Sequence, residues 1–381
     1  MLSEVGDRCC GCAACKTVCP ENCISMVKDD EGFSYPHIDS ERCTKCGLCE
    51  RVCPVLSEPA MPEFKTKAFY GWHNDENVRF TSSSGGLFSA LADTTLEQGG
   101  VVFGAVFDAE KKKVIYGNTE NYTLDDLKRS KYTECYCEDS YEEIKKALKS
   151  KRPVLCCATP CQIAGFKNYF KDKYDNLILC DFICSGVPSS DCFGAHIKSL
   201  EEKYGSKAIR VNFRAKNRGW LMMTFTVDFE NGKQYESIAS YDMYFASFAN
   251  FKLLNRKSCY SCKFSEKHFS DLTIADFWGY AKVPEIKNDD KGISLIIINS
   301  PKGEKMFNQA KEALLVNPLD SSYIKYAVKE RKLNRERLEN RNKFFAEAKK
   351  RGYEKALRGV SFKYKRVPYF LNRIKAKRSV K

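Results

Sequence analysis

Eight of the chain's twenty cysteines fall into two copies of one pattern. Cys9, Cys12, Cys15 and Cys19 have the spacing C-x2-C-x2-C-x3-C, Cys43, Cys46, Cys49 and Cys53 repeat it, and Pro20 and Pro54 close the two runs. Three thiolates on one tight loop can hold three irons of a 4Fe-4S cubane, while the fourth, on the next turn, reaches a second cubane. On that crossed scheme one cluster takes Cys9, Cys12, Cys15 and Cys53, and the other takes Cys43, Cys46, Cys49 and Cys19. Structural zinc also uses C-x2-C pairs, but four thiols and a proline, repeated in full, form the more specific pattern. Cys10 and Cys23 lie outside it and read as small packed thiols. Clusters of this kind relay single electrons and make no bonds.

Four further cysteines sit where the chain leaves regular elements: Cys161 in "TPCQ", Cys184 in "ICSG", and Cys259 with Cys262 in "CYSC". They could close a third iron-sulfur site if the fold brings them together, with zinc as the competing occupant. Elsewhere "SSSGG" precedes a helical pattern. Unpaired backbone N–H groups and the helix dipole make such a turn a phosphate site; the plain alternative is an ordinary N-cap at Ser84. No G-x-G-x-x-G follows a strand, so a Rossmann dinucleotide site is not supported.

The elements that must position these residues can be read coarsely. Between the two cysteine runs, "CISMV", the turn "KDDEG" and "FSYPHID" form a small hairpin, so the two halves fold together. "SEPAMPEFK" is a linker by composition. "RPVLCCATPCQIAGF" gives a strand, a Thr-Pro break and a helix, "NLILCDFICSGVPS" gives another strand and turn, and "MTFTVDFENGKQYES" reads as a hairpin about Asn-Gly. The expected fold is therefore a small two-cluster ferredoxin-like domain over residues 1–58, a linker over 59–67, and a mixed-sheet α/β domain over 68–302. A helical, basic segment follows over 303–381. His196 is expected on a helix surface and Asp276 at a turn.

Length and charge limit the function. A chain of 381 residues buries a core without crosslinks, and clustered cysteines behind a charged amino terminus fit a reducing cytoplasm. The strongly apolar run at Ser294 to Ile298 is too short to cross a bilayer and reads as a buried strand. The net charge of +14 sits in the tail, where residues 321–381 hold twenty-one Lys and Arg against five Asp and Glu. Mixed charges at helical spacing suggest a solvated helix face. The closing "KYKRVPYFLNRIKAKRSVK" could touch acidic lipid or an acidic protein partner. Nucleic acid is not indicated, because no recognition motif accompanies the charge.

The motifs "SSSGGL", "SKY", "TPCQIAGFK", "DFICSGVPS", "FRAKNRGW", "SCYSCKF" and "DLTIADFWG" occur in that order behind a two-cluster ferredoxin. Over about residues 1–300 the chain resembles the beta subunit family of coenzyme F-420 (deazaflavin) hydrogenase and dehydrogenase. The resemblance implies an FAD and a nearby cluster that exchange electrons between one-electron and two-electron carriers. It implies phosphate contacts at Ser83, Ser84, Gly85 and Gly86, and flavin-side contacts from Ser130, Lys131, Tyr132, Thr159, Pro160 and Gln162. It also implies a third cluster on Cys161, Cys184, Cys259 and Cys262. The chain departs from the family pattern at Ala158, Ser185 and Ala275, which bears on donor specificity more than on cofactor binding. Cys135, Cys137, Cys156, Cys157, Cys180 and Cys192 have no implied role, and several read as core.

Two functions follow as expectations. One is an iron-sulfur flavoprotein oxidoreductase joining a ferredoxin or another redox protein to an unidentified small molecule, with Lys131 as the candidate charge beside the flavin. Deazaflavin or NAD(P)H would be its two-electron donor or acceptor. The other is a non-catalytic electron-transfer subunit that docks to a partner enzyme.

Overall fold

The computed structural model describes residues 2–327 and 335–363. Ile24–Lys28 (β1) and Ser34–Ile38 (β2) pair antiparallel, with Met26 opposite Pro36, which is the hairpin expected between the cysteine runs. Each run ends in a five-residue helix, Ala14–Val18 and Leu48–Val52.

The large sheet uses Lys67–His73 (β3), Val101–Asp108 (β4), Lys113–Asn118 (β5), Cys135–Tyr136 (β6), Val154–Cys157 (β7) and Leu177–Phe182 (β8). Ala208–Ala215 (β9), Thr224–Phe229 (β10) and Gln234–Ile238 (β11) form a separate three-stranded sheet in the order β11-β10-β9. Leu272–Asp276 (β12), Ser294–Ile298 (β13) and Leu314–Leu319 (β14) complete the large one, whose order is β14-β3-β13-β12-β8-β7-β4-β5-β6. The sheet is mixed: β4, β7, β8 and β12 run parallel in the middle, and β13, β3 and β14 add antiparallel. Strand β13, sequence SLIII, lies between two neighbours and buries all five residues. A continuous apolar run is what a strand covered on both faces requires. Within the segment read as helical from residue 303, Leu314–Leu319 is instead an edge strand paired to β3, because its neighbours supply the backbone partners that local propensity cannot anticipate.

The cysteine-rich module is embedded in the rest of the chain. Tyr141 donates its hydroxyl to the Cys12 carbonyl (2.8 Å) and Asn168 donates to that of Ser57 (2.6 Å). Cys12, Ala13, Ala14 and Val52 share a hydrophobic cluster with Tyr141, Ile163 and Phe166. On the other side, Phe33 at the hairpin tip is fully buried beside Phe345 of the Arg335–Arg351 helix, ring centroids 6.1 Å apart. Arg341 on that helix, also fully buried, pairs with Glu31 and donates to the Asn255 carbonyl (2.7 Å). The basic C-terminal helix thus clamps the hairpin. The aromatic-basic stretch at 363–381 lies outside the described residues from 364 onward.

Candidate functional site

The two cysteine loops have one backbone form. Gly11 and Lys45 both have positive φ, as do Ala13 and Gly47, and the last cysteines, Cys19 and Cys53, leave their helices extended. In the crossed set of the first cluster, burial and the nearby charges of Cys9 and Cys53 push the Cys15 thiol up. Burial also raises Cys53, against which Cys9 and Cys49 lie close. Cys9, Cys12, Cys15 and Cys53 line one small cavity. In the second set Cys49 lies by Cys43, and Cys23 sits 3.3 Å from Cys19, sulfur to sulfur. Cys46 is exposed.

Cys161, Cys184, Cys259 and Cys262 converge as well. Cys161 opens the Pro160–Phe170 helix, Cys184 follows β8, and Lys257–Ser261 carries Cys259. Burial raises the Cys259 thiol, and the charges of Cys184, Cys161 and Cys262 add to the effect. Among the described residues no three His, Cys, Asp or Glu crowd closely enough to share one metal ion. A cubane does not require that, since its thiolates bind four different irons. Cys10 bridges the sets: its thiol meets Cys12 on one side and Cys161 on the other. The packed thiol of the sequence reading thus lies between the first and third sets.

Arg256 fixes this junction. It is 1% exposed, and its guanidinium donates to the Cys9 carbonyl (2.7 Å), to the Ser34 carbonyl and to Glu134 (2.8 Å) while lying over the Tyr35 ring. Its own carbonyl accepts from Cys259 N–H (3.0 Å). A single buried side chain therefore ties the first loop to the third set.

A cleft opens beside the junction, lined by Cys10, Gly11, Lys131, Glu134, Thr159 and Gln162 among others. Lys131 donates to the carbonyls of Asp126 (2.6 Å) and Lys128, and burial with the nearby Arg129 brings its pKa down to about 7. Gln162 and Thr159 form the capping box of the Pro160–Phe170 helix, with Pro160 in its first turn, and Gln162 also donates to the Cys135 carbonyl (3.0 Å). Glu134 accepts from Ser34 N–H (3.2 Å) and Arg256 through Oε1; Oε2 is buried without a partner among the described residues. Burial pushes its carboxyl up and Arg256 opposes this.

The "SSSGG" turn reaches the cleft only through the segment that carries Lys131. Ser83 Oγ accepts from Ser130 N–H (2.9 Å), which joins the turn to the residue before Lys131. Ser84 is not the N-cap: its hydroxyl donates to Ile293 O (3.0 Å), and the Leu87–Glu97 helix begins at Gly86, φ 95°, with no side-chain cap. Gly85 packs so tightly that a Cβ would stand 2.7 Å from the Gly71 carbonyl. Ser89, in the first helical turn, is 1% exposed and its hydroxyl has no partner among the described residues. An uncapped helix start with an orphaned hydroxyl fits a phosphate.

Several residues differ from expectation. Tyr132 stands among Phe213, Phe245 and Phe248, with ring centroids 5.1–5.9 Å away, in the core and not in the cleft lining. His196 is buried at 3% exposure and bonds Asp242 (2.8 Å), because its ring packs against Tyr244 and Phe225 and not on solvent. Asp276 is held by Arg214 and by Trp220 Nε1 (2.8 Å), and Trp220 stacks on Trp278 at 4.4 Å. Cys137, Cys156, Cys180 and Cys192 are core, as expected for several of the thiols without an implied role. Sequence reasoning missed Glu134 and Arg256, and gave no role to Lys216, which donates to the carbonyls of Arg79 (2.7 Å), Ser84 and Lys291 (2.6 Å). The motif "FRAKNRGW", which contains Lys216, was the available signal.

Residues 151–322 match the family described as the carboxy terminus of the coenzyme F420 hydrogenase/dehydrogenase beta subunit, and residues 8–56 match a "4Fe-4S dicluster domain". The Ser83–Gly86 turn and Ser130–Tyr132 lie between the two matches. The search of curated proteins finds no match. Among solved structures, a chain of the F420-reducing [NiFe] hydrogenase complex from Methanosarcina barkeri is 15% identical, with a TM-score of 0.45, over 76% of this chain and 94% of that one. Among the described residues no helix is long and apolar enough to cross a membrane.

Proposed function

We propose that this chain, in which a 4Fe-4S dicluster domain precedes the C-terminal domain of the coenzyme F-420 hydrogenase/dehydrogenase beta subunit family, is an iron-sulfur flavoprotein. It passes electrons between a ferredoxin-type partner and a two-electron carrier. The observation that carries the reading is the Arg256 junction, which ties the Cys9 carbonyl of the first loop (2.7 Å) to the backbone of Cys259 in the third set (3.0 Å). Cys19 with Cys43, Cys46 and Cys49 is then the set toward solvent, while Cys9 with Cys12, Cys15 and Cys53 meets the third set at Cys10, in the cleft wall. When bound, such clusters carry single electrons and an FAD exchanges them for a hydride.

The chain's own residues hold and orient. The amides at Gly86 and the Ser89 hydroxyl would receive phosphate, Gly85 lets the turn lie against β3, and Lys216 pins the turn from behind. Lys131, with a pKa of about 7, can hold or give up a proton at its amine near neutral pH, which suits a group facing a redox centre. A deazaflavin or a nicotinamide is the proposed two-electron partner. The exposed edge at Cys46 also suits a second reading, an electron-transfer subunit docked to a separate enzyme.

Anaerobic purification followed by metal and flavin analysis tests the proposal. It requires about twelve irons per chain from three cubanes and one bound flavin. Oxidation of reduced deazaflavin or NAD(P)H by the isolated chain supports an enzyme; its absence, with cofactors intact, favours the docked electron carrier. A chain with no flavin contradicts the proposal.

A further inference from the structure

We infer that Glu134 is a flavin-binding residue, its free carboxylate oxygen accepting the single imide N–H of the isoalloxazine ring and so setting which edge of the ring enters the cleft. The inference rests on the flavin reading above and deepens it.

Glu134 is 5% exposed and held at three points: its N–H donates to Pro188 O (2.9 Å), and Oε1 accepts from Ser34 N–H and from Arg256. A carboxylate has acceptor sites on both oxygens, yet Oε2 is buried in the cleft wall with no donor among the described residues. Burying an acceptor unpaired is unfavourable, and sites that carry such groups often use them on a ligand. The groups around it do not supply the donor. Arg256 is committed to Cys9, Ser34 and Oε1, Lys28 pairs with Asp191, and Asp29 accepts from Glu31 and Phe33 N–H.

The same cleft contains Lys131, a donor. An acceptor and a donor together match a lactam or imide edge, on which an N–H adjoins a carbonyl. A flavin has one such N–H, at N3 between two carbonyls. Because Glu134 is tied through Arg256 to the Cys9 carbonyl, a ring held by Glu134 is also fixed with respect to the first cysteine loop. That gives the buried pair a purpose that stability alone does not explain, since well-packed apolar residues can replace a buried ion pair without loss.

The test is a binding selectivity and needs no turnover. Protein stripped of flavin but retaining its irons is titrated with FAD and with 3-methyl-FAD, which lacks the N–H, and bound flavin is read by fluorescence quenching. The wild type should bind 3-methyl-FAD at least tenfold more weakly than FAD. Glu134→Gln keeps an acceptor for Arg256 but turns an amide N–H toward the ring; it should bind FAD several-fold more weakly and lose the preference, at unchanged iron content. Equal binding of both flavins by the wild type overturns this inference and leaves the flavoprotein reading standing. Binding of neither overturns both. If FAD is preferred but Glu134→Gln keeps the full preference, another residue reads the edge and the assignment to Glu134 fails.

Discussion

The two cysteine repeats have the same loop and opposite surroundings. Gly11 and Lys45 take φ of 71° and 55° at equivalent positions, and Ala13 and Gly47 take 59° and 73°. Residue type therefore does not decide the turn; the requirement to point three thiols inward does. Burial is what differs. Cys12, Cys15 and Cys53 are buried, while Cys43 and Cys49 are half-buried and Cys46 is exposed. The first loop is enclosed by Tyr141, Cys137 and Arg256, each bonded to one of its carbonyls. A duplicated motif has thus become an inner and an outer station, and the inner one adjoins the third set.

The sharpest way to break that comparison is at its inner anchor. Arg256→Met leaves Glu134 buried without its cation, a change that costs about 3–5 kcal/mol and should lower the thermal midpoint by many degrees. Arg42→Met, which removes an exposed contact to the Glu21 carbonyl on the outer side (2.7 Å), should cost less than about 0.5 kcal/mol. Similar losses in the two variants would mean that the inner loop is not specially held. A smaller difference should appear on controlled air exposure, followed by EPR of the dithionite-reduced protein. The signal of the outer cluster is expected to decay several-fold faster, since oxygen reaches Cys46 directly.

A further effect concerns Lys131 and is a slope. Its folded pKa of about 7 lies below the unfolded value of about 10.4, so between those values the unfolded chain binds more protons and stability rises with pH. The rise is at most about 1.4 kcal/mol per pH unit. Lys131→Met should flatten it, as read by thermal melts across pH 7 to 10. A slope that survives the substitution would place the titration elsewhere.

Much of this was legible before the fold. The cysteine spacing marked both loops, the apolar run at Ser294–Ile298 marked a central strand, and the Asn-Gly turn marked the β10–β11 hairpin. Each is a local signal. The parts that escaped are long-range. Glu134 and Arg256 lie 122 residues apart, and Arg341 meets Glu31 across 310, so nothing in either neighbourhood announces the pair. Ser84 resembled an N-cap because Ser is favoured there, but Ile293, just before β13, offered its hydroxyl a carbonyl and Gly86 took the helix start. His196 looked superficial on a helix with mixed polarity, and only Asp242, from another element, makes its burial tolerable.

The central claim is that a third thiol set lies beyond the inner loop. Iron analysis of Cys259→Ser beside the wild type, both purified anaerobically, tests it most directly. The variant should lose about four of about twelve irons while the EPR signals of the two amino-terminal clusters persist. Equal iron in the two proteins would contradict the account.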